Sequence, residues 1–258
     1  MIHRARKRFG QHFLVDPAVI EKIVSAIAPR DGEIIVEIGP GQAAITEPLS
    51  VLASELHAVE FDRDLAARLR ERYSARDNVT IHEADALDFD FSSLGEHIRV
   101  VGNLPYNIST PLLFRLLEFR ERIVDAHFML QKEVVDRLCA EPGNKAFGRL
   151  TVMLGCHMES VPLFDVPPDA FSPPPRVMSS VVRMRPVPAG RYDLRDPNAL
   201  ERLVKLAFSR RRKTLRNALQ GMVESPTMEE IGLDPRWRPE QVPIESWIAL
   251  ANRCSQAD

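Results

Sequence analysis

Short apolar runs bounded by turn residues recur along the chain. They fall at Glu33–Ile38, Leu56–Val59, Val79–His82, Ile98–Val101 and Ala126–Leu130, each of the length of a buried strand. Between them, Ala43–Ala53, Arg63–Tyr73 and Leu112–Phe119 space their apolar residues as helices do. This rhythm predicts an α/β fold, a mostly parallel sheet with helices on both faces. Two later β-like stretches, Val161–Val166 and Ser180–Arg185, flank a proline-rich loop and predict an antiparallel hairpin at one sheet edge. After Arg185 the pattern changes. Pro186-Val187-Pro188-Ala189-Gly190 reads as a linker, and Leu200, Leu203, Val204, Ala207 and Phe208 then recur at helical spacing. The expected division is a large domain over 1–188 and a small helical one over 189–258.

The most informative stretch is Val101-Gly102-Asn103-Leu104-Pro105-Tyr106-Asn107-Ile108. It follows a strand and precedes a helix, so an amide, a rigid backbone and an aromatic ring stand at a strand's carboxyl end, where open α/β sheets bind ligands. An amide oxygen and a carbonyl accept hydrogen bonds from an exocyclic amine, and a tyrosine ring stacks on a flipped base. Blander readings exist: Asn103 as a turn residue, Tyr106 as a core aromatic, Phe171 as an anchor of the proline loop in the core.

Glu37-Ile38-Gly39-Pro40-Gly41-Gln42-Ala43-Ala44 ends the first strand and opens a helix, with glycines that let the backbone turn tightly beside a ligand. Glu60 ends the next strand, placed to hold the two hydroxyls of a ribose. Gly39-x-Gly41-x-x-Ala44 with such an acid fits a dinucleotide fold and also a nucleoside-linked sulfonium. Glu37, an anion one residue ahead of the turn, favours the sulfonium. Asp85 follows the third strand and reads equally as an acceptor for an adenine amine or as a helix N-cap.

Composition narrows the classes. The 258 residues are 45% hydrophobic, with no run long enough to span a bilayer. Three scattered cysteines and seven histidines carry no disulfide framework or metal-ligand spacing, so no metal site is expected. The net charge of −2 conceals an uneven distribution. Residues 1–8 hold Arg4, Arg6, Lys7 and Arg8 with no acid, and residues 201–220 hold Arg202, Lys205, Arg210, Arg211, Arg212, Lys213 and Arg216 against Glu201. Elsewhere 23 basic residues face 35 acidic ones, so an acidic body carries two basic segments, the footprint of a polyanion partner. The segment before Phe9 is shorter than a typical organelle transit peptide, which points to the bacterial cytoplasm.

Taken together, Lys7-Arg8-Phe9-Gly10-Gln11-His12-Phe13-Leu14, Glu37-Ile38-Gly39-Pro40-Gly41, Glu60-Phe61-Asp62, Asp85-Ala86, Asn103-Leu104-Pro105-Tyr106, Phe171-Ser172-Pro173-Pro174-Pro175-Arg176-Val177 and Arg211-Arg212-Lys213-Thr214-Leu215-Arg216-Asn217 resemble the ribosomal RNA adenine N6,N6-dimethyltransferase family, most closely its small-subunit (16S) branch. The resemblance covers nearly the whole chain. It implies a Rossmann-like class I methyltransferase sheet with a small helical C-terminal domain. It implies S-adenosyl-L-methionine held by His12, Leu14, Gly39, Glu60, Asp85 and Asn103. The expected reaction makes dimethyladenine at two adjacent adenines of a small-subunit rRNA hairpin. Asn103, Leu104, Pro105, Tyr106 and Phe171 form its catalytic set, with Tyr106 and Phe171 clamping the base. Arg6, Lys7, Arg8, Arg210, Arg211, Arg212, Lys213 and Arg216 are expected to contact RNA. The expected partner is the small ribosomal subunit with its 16S rRNA, met by a monomer with no membrane role. Departures are few: His12 stands where asparagine is common, Gln42 where leucine is, and Phe147 where tyrosine is. Three other readings compete: a large-subunit methyltransferase of the macrolide-resistance type, a non-catalytic ribosome-assembly factor, and a nicotinamide oxidoreductase.

Overall fold

A computed structural model describes residues 12–255. Packing divides the chain into two compact units. The first runs through Val135 and resumes over Val161–Pro186; the second joins Asp136–Ser160 to Val187–Asp258. The helical unit therefore draws on a segment that the division at 188/189 assigns to the first domain.

The first unit is built on a seven-stranded sheet. Its strands are β2 (Ile34–Ile38), β3 (Glu55–Glu60), β4 (Val79–Glu83), β5 (Ile98–Asn103), β6 (Ile123–Gln131), β7 (Met158–Val166) and β9 (Ser179–Pro186), in the order β4-β3-β2-β5-β6-β9-β7. The pairs from β4 to β6 are parallel, and β9 runs antiparallel to β6 with Phe128 opposite Val182. Ile35, Val36, Val100 and Val101 are wholly buried, because central parallel strands are covered on both faces. This explains their uninterrupted apolar character in the sequence. A separate two-stranded ribbon pairs β1 (Phe13–Leu14) with β8 (Phe171–Ser172), setting Leu14 opposite Phe171.

Helix α1 (Pro17–Ile27) begins where the Asp16 carboxylate accepts from Ala18 and Val19 N–H, with proline at the first position. It buries Ile23, Val24 and Ile27. Helix α2 (Thr46–Leu52) starts later than expected, because Ala43 adopts φ 69° and prolongs the glycine turn. Asp62 caps α3 (Arg63–Arg72), which buries Leu65, Ala66 and Leu69. Helix α4 (Ser109–Leu117) follows the Asn103–Ile108 segment. At the amino ends of the strands Arg99, nearly buried, donates to Asp125 at 2.8 and 3.0 Å, to Glu33 at 2.7 Å and to the Ile27 carbonyl at 2.7 Å. That fork ties β5 and β6 to the end of α1.

Helix α5 (Lys132–Leu138) follows β6, and the second unit contains α6 (Arg149–Gly155), α7 (Pro197–Ser209), α8 (Leu215–Ala218), α9 (Ser225–Glu230) and α10 (Ile244–Cys254). Its core gathers Phe147, Val152, Leu200, Leu203, Val204, Leu215, Trp247 and Leu250. The helical spacing of α7 is the stripe that meets this core. No helix among the described residues is long and apolar enough to cross a membrane.

Candidate active site at the carboxyl ends of the strands

The chain leaves β2 toward β3 and β4 on one side and returns with β5 on the other. The crevice of an open α/β sheet forms at such a reversal. Gly39 follows β2, Glu60 ends β3, Asp85 follows β4 and Asn103 ends β5, so four expected site residues meet along one edge. The backbones approach closely there. A Cβ on Gly102 would stand 2.5 Å from the Ile38 carbonyl oxygen, and one on Gly41 (φ 57°) would stand 3.1 Å from the Phe13 ring.

Two adjoining recesses share Gly39, Glu60 and Pro105. The first is lined also by His12, Leu14, Glu37, Gln42, Asn103, Leu104 and Tyr106. The second adds Val59, Phe61, Asp62, Asp85, Ala86, Asn107 and Ile108. Between them the Glu60 carboxylate accepts from Gly41 N–H at 3.0 Å and from Asp62 N–H at 2.8 Å. Burial raises its pKa, and those N–H donors pull it back. The donors fix its orientation and leave lone pairs for vicinal hydroxyls. Burial also pushes Glu37 up to about 7, against the Thr46 hydroxyl and with the charge of Glu60 adding to the rise. Its Oε2 is buried without a partner among the described residues, and a carboxylate so placed attracts a cation.

Asp85 closes a turn and borders a recess. One carboxylate oxygen accepts from Leu87 N–H at 2.9 Å across the turn that follows, and the residue lines the second recess. Phe61 is 56% exposed beside it and offers an apolar face for a planar base. Phe61 is a site residue beyond those expected, although an aromatic directly after the ribose-holding acid is a legible signal in the sequence. A nucleoside held by Phe61, Asp85 and Glu60, with a cationic group toward Glu37, fits the donors and acceptors present.

The Asn103–Tyr106 segment borders the first recess. The Asn103 side-chain NH2 donates to the His12 carbonyl at 3.0 Å. That contact turns the amide oxygen the other way. The Pro105 carbonyl accepts from Ile108 N–H and the Tyr106 carbonyl from the Ser109 hydroxyl, both at 3.1 Å. The Leu104 carbonyl carries no such bond among the described residues. Tyr106 hydrogen-bonds through its hydroxyl to Ser179 at 2.7 Å, and its ring faces His12 with centroids 5.8 Å apart. His12 donates from Nδ1 to the Pro173 carbonyl at 2.7 Å.

Phe171 departs from expectation. It is 3% exposed and packs in the core with Leu14, Val166 and Ala170, because its strand pairs with β1. A ring enclosed in this way has no face for a base. Here it anchors the proline loop, and the clamp expected of it is absent from this geometry.

In the helical unit Arg210–Lys213 form the turn between α7 and α8. Two of these cations are engaged internally: Arg210 donates to the Ala218 carbonyl at 3.1 Å, and Arg211 donates to the Lys145 carbonyl and lies 3.5 Å from Glu240. Arg212, Lys213 and Arg216 are exposed and carry no ion pair among the described residues. With Ser209, Asn217 and Gln220 the turn forms a polar groove. Arg6, Lys7 and Arg8 lie outside the described residues.

Comparison with known proteins gives one consistent picture. Residues 2–256 match the family model "Ribosomal RNA adenine dimethylase". A "Ribosomal RNA small subunit methyltransferase A" of Aromatoleum aromaticum is 56% identical over 250 residues, covering 97% of this chain and 94% of that protein. A protein of the same name from Dechloromonas aromatica is 51% identical over 253 residues, covering 98% and 99%. A crystal structure of a dimethyladenosine transferase from Plasmodium falciparum superposes with TM-score 0.81 at 25% identity, covering 93% of this chain and 96% of that one. A 23S rRNA methyltransferase, ErmE, superposes with TM-score 0.76 at 26% identity, covering 95% and 100%. The sheet is that of the class I methyltransferases, the methyl donor is S-adenosyl-L-methionine, and the chain belongs to the ribosomal RNA adenine dimethylase family.

Proposed function

We propose that this protein dimethylates the N6 amines of two adjacent adenines in 16S rRNA, using S-adenosyl-L-methionine, on a small ribosomal subunit met in the bacterial cytoplasm by a monomer. The observation that carries the reading is the Asn103 side chain, whose NH2 is held by a main-chain carbonyl. Its oxygen then remains as an acceptor at the carboxyl end of β5, beside the Leu104 carbonyl, which accepts no hydrogen bond among the described residues. The adenine amine is a poor nucleophile because its lone pair is delocalised into the ring. Accepting its two N–H bonds at Asn103 Oδ1 and Leu104 O draws the nitrogen toward a tetrahedral shape and frees that lone pair. Pro105 fixes the backbone so that these acceptors converge. Tyr106 stacks on the flipped base, worth about 1–3 kcal/mol against the cost of unstacking.

The bound donor supplies an electrophilic methyl on a sulfonium. Glu60 and Asp85 would accept from its ribose and adenine, and Glu37 would supply an anion for its charge. His12, Leu14 and Gly39 line the same recess. Holding both reactants in line supplies about 7–11 kcal/mol of the barrier. The amine sheds a proton to water after attack, so the site needs no strong base. Arg212, Lys213 and Arg216 of the helical unit, with Arg6, Lys7 and Arg8, provide cations for RNA phosphates.

The test is transfer of labelled methyl to small subunits from cells lacking the gene, followed by nucleoside analysis. Dimethyladenine in the 16S rRNA supports the reading. Label only in large-subunit RNA moves the protein to the resistance branch. Tight binding to subunits without transfer makes it an assembly factor.

A further inference from the structure

We propose that Trp237 of the helical unit is a stacking platform for an unpaired nucleotide of the RNA substrate, set among cations that take the flanking phosphates. This rests on the RNA-methylating reading and adds to it a recognition site in the helical unit. The chain has two tryptophans. Trp247 is wholly buried in the helical core, whereas Trp237 lies outside that core and is 37% exposed. An exposed indole offers a broad π face, and every base stacks on such a face whatever its sequence.

The ring stands on a fixed backbone. Leu215 N–H donates to the Trp237 carbonyl at 2.7 Å, and Arg216 N–H donates to the Pro235 carbonyl at 3.1 Å, so this segment runs against the start of α8. Trp237 N–H donates to the Asp234 carbonyl at 3.1 Å, and Pro235 and Pro239 on either side are buried. A platform held in this way is ordered before RNA arrives, which lowers the cost of binding.

The same two segments carry the charge. Lys213 and Arg216 come from one, Arg236 and Arg238 from the other, and all four are exposed. The Asp234 carboxylate accepts from the Arg236 guanidinium at 2.9 and 3.1 Å, and Glu240 lies 3.5 Å from Arg211. The acids of this loop therefore already face cations, while Lys213, Arg216 and Arg238 carry no ion pair among the described residues. The centre of a protein interface is depleted of charge, so uncompensated cations around the indole favour phosphates over a protein partner. An aromatic face with cations beside it is the combination that holds single-stranded RNA. A duplex keeps its base faces stacked and has none to offer the ring.

The experiment titrates the full-length protein with a single RNA strand of about ten nucleotides, within the span of single-strand sites, and with the same strand in a duplex. Tryptophan fluorescence is followed, with Trp247 as a constant background. The single strand is expected to quench the emission and the duplex to leave it unchanged. Anisotropy of labelled RNA then gives the affinities of variants. Trp237→Phe should bind nearly as wild type, and Trp237→Leu about ten- to a hundredfold more weakly with an unchanged salt slope. Arg238→Ala should reduce the logarithmic salt slope by about 0.7, the share of one phosphate on a single strand. Unchanged melting curves and cofactor affinity show that each variant is folded. The proposal is overturned if RNA leaves the fluorescence unchanged, if the duplex quenches equally, or if Trp237→Leu binds as wild type. A response to the proteins of the small subunit and not to RNA would assign the ring to a protein partner and overturn it too. Methyl transfer by the wild-type protein is measured alongside; its failure with quenching intact counts against the enzymatic reading and not against the platform.

Discussion

The Asn103 side-chain amide donates to the main-chain carbonyl of His12 across 91 residues of sequence. A carbonyl partner requires a donor, so this contact decides which end of the amide faces the recess. Asparagine is thus placed to act on the amine as a fixed acceptor, with its rotation removed before substrate arrives.

Gly102 stands where β5 passes closest to the turn after β2. A methyl group there would meet a backbone oxygen at 2.5 Å, and backbone cannot step aside as a side chain can. Gly102→Ala is expected to destabilise the fold by about 1–3 kcal/mol and to weaken cofactor binding by displacing Asn103 from Gly39. Denaturant unfolding and calorimetric titration on the same variant check both effects.

The Arg99–Asp125 pair is a stability element remote from the chemistry. Asp125→Ala leaves a nearly buried guanidinium with Glu33 as its one remaining carboxylate partner and should cost about 3 kcal/mol. Replacing both residues together, Arg99→Met with Asp125→Leu, should recover much of that loss, because no buried guanidinium is then left short of acceptors. Chemical denaturation midpoints of the single and double variants give the comparison.

Two buried groups oppose each other in their response to pH. Glu37, raised from 4.5 to about 7, keeps a proton that the unfolded chain has released; its contribution is complete below pH 4.5 and is lost as pH rises through about 7. His127 is lowered from 6.5 to about 4, chiefly by burial; its contribution is complete above pH 6.5 and is lost as pH falls toward 4. Each shift is worth at most on the order of 3 kcal/mol, so the wild-type melting temperature should change little between these limits. Glu37→Gln should expose a loss of stability in acid, and His127→Leu a loss toward neutral pH. A cation bound beside Glu37 requires the carboxylate. Cofactor affinity should therefore be about tenfold weaker at pH 6 than at pH 8, and Glu37→Gln should remove that dependence.

The basic turn divides into structural and free cations. Substituting Arg212, Lys213 and Arg216 with alanine should weaken subunit binding and reduce its logarithmic salt slope by about 2, the share of three phosphate contacts. Arg210→Ala should instead lower the melting temperature, since that side chain holds the Ala218 carbonyl. Binding at several salt concentrations, with melting curves for each variant, distinguishes the two groups.

Much of the fold was legible because β2, β3 and β5 are buried on both faces and so appear as plain apolar runs. The crevice residues were legible for a related reason: each sits directly after such a run. Helix α1 was overlooked although Asp16-Pro17 is a start signal. The ribbon of β1 and β8 is two residues long on each strand, too short to leave a period. Phe171 was misassigned because burial of a ring beside a proline loop depends on β1 arriving from the far end of the sequence. The attachment of Asp136–Ser160 to the helical unit likewise follows from long-range packing of Phe147 and Val152 with α7 and α10, and no change of composition marks it.

The most direct test of the account is Asn103→Ala, measured for both single-turnover methyl transfer to small subunits and cofactor affinity. The expected result is a loss of transfer of a hundredfold or more, on the scale of one removed transition-state hydrogen bond, with cofactor affinity reduced severalfold at most. Equal losses in transfer and affinity, or transfer retained, would contradict the role assigned to its amide oxygen.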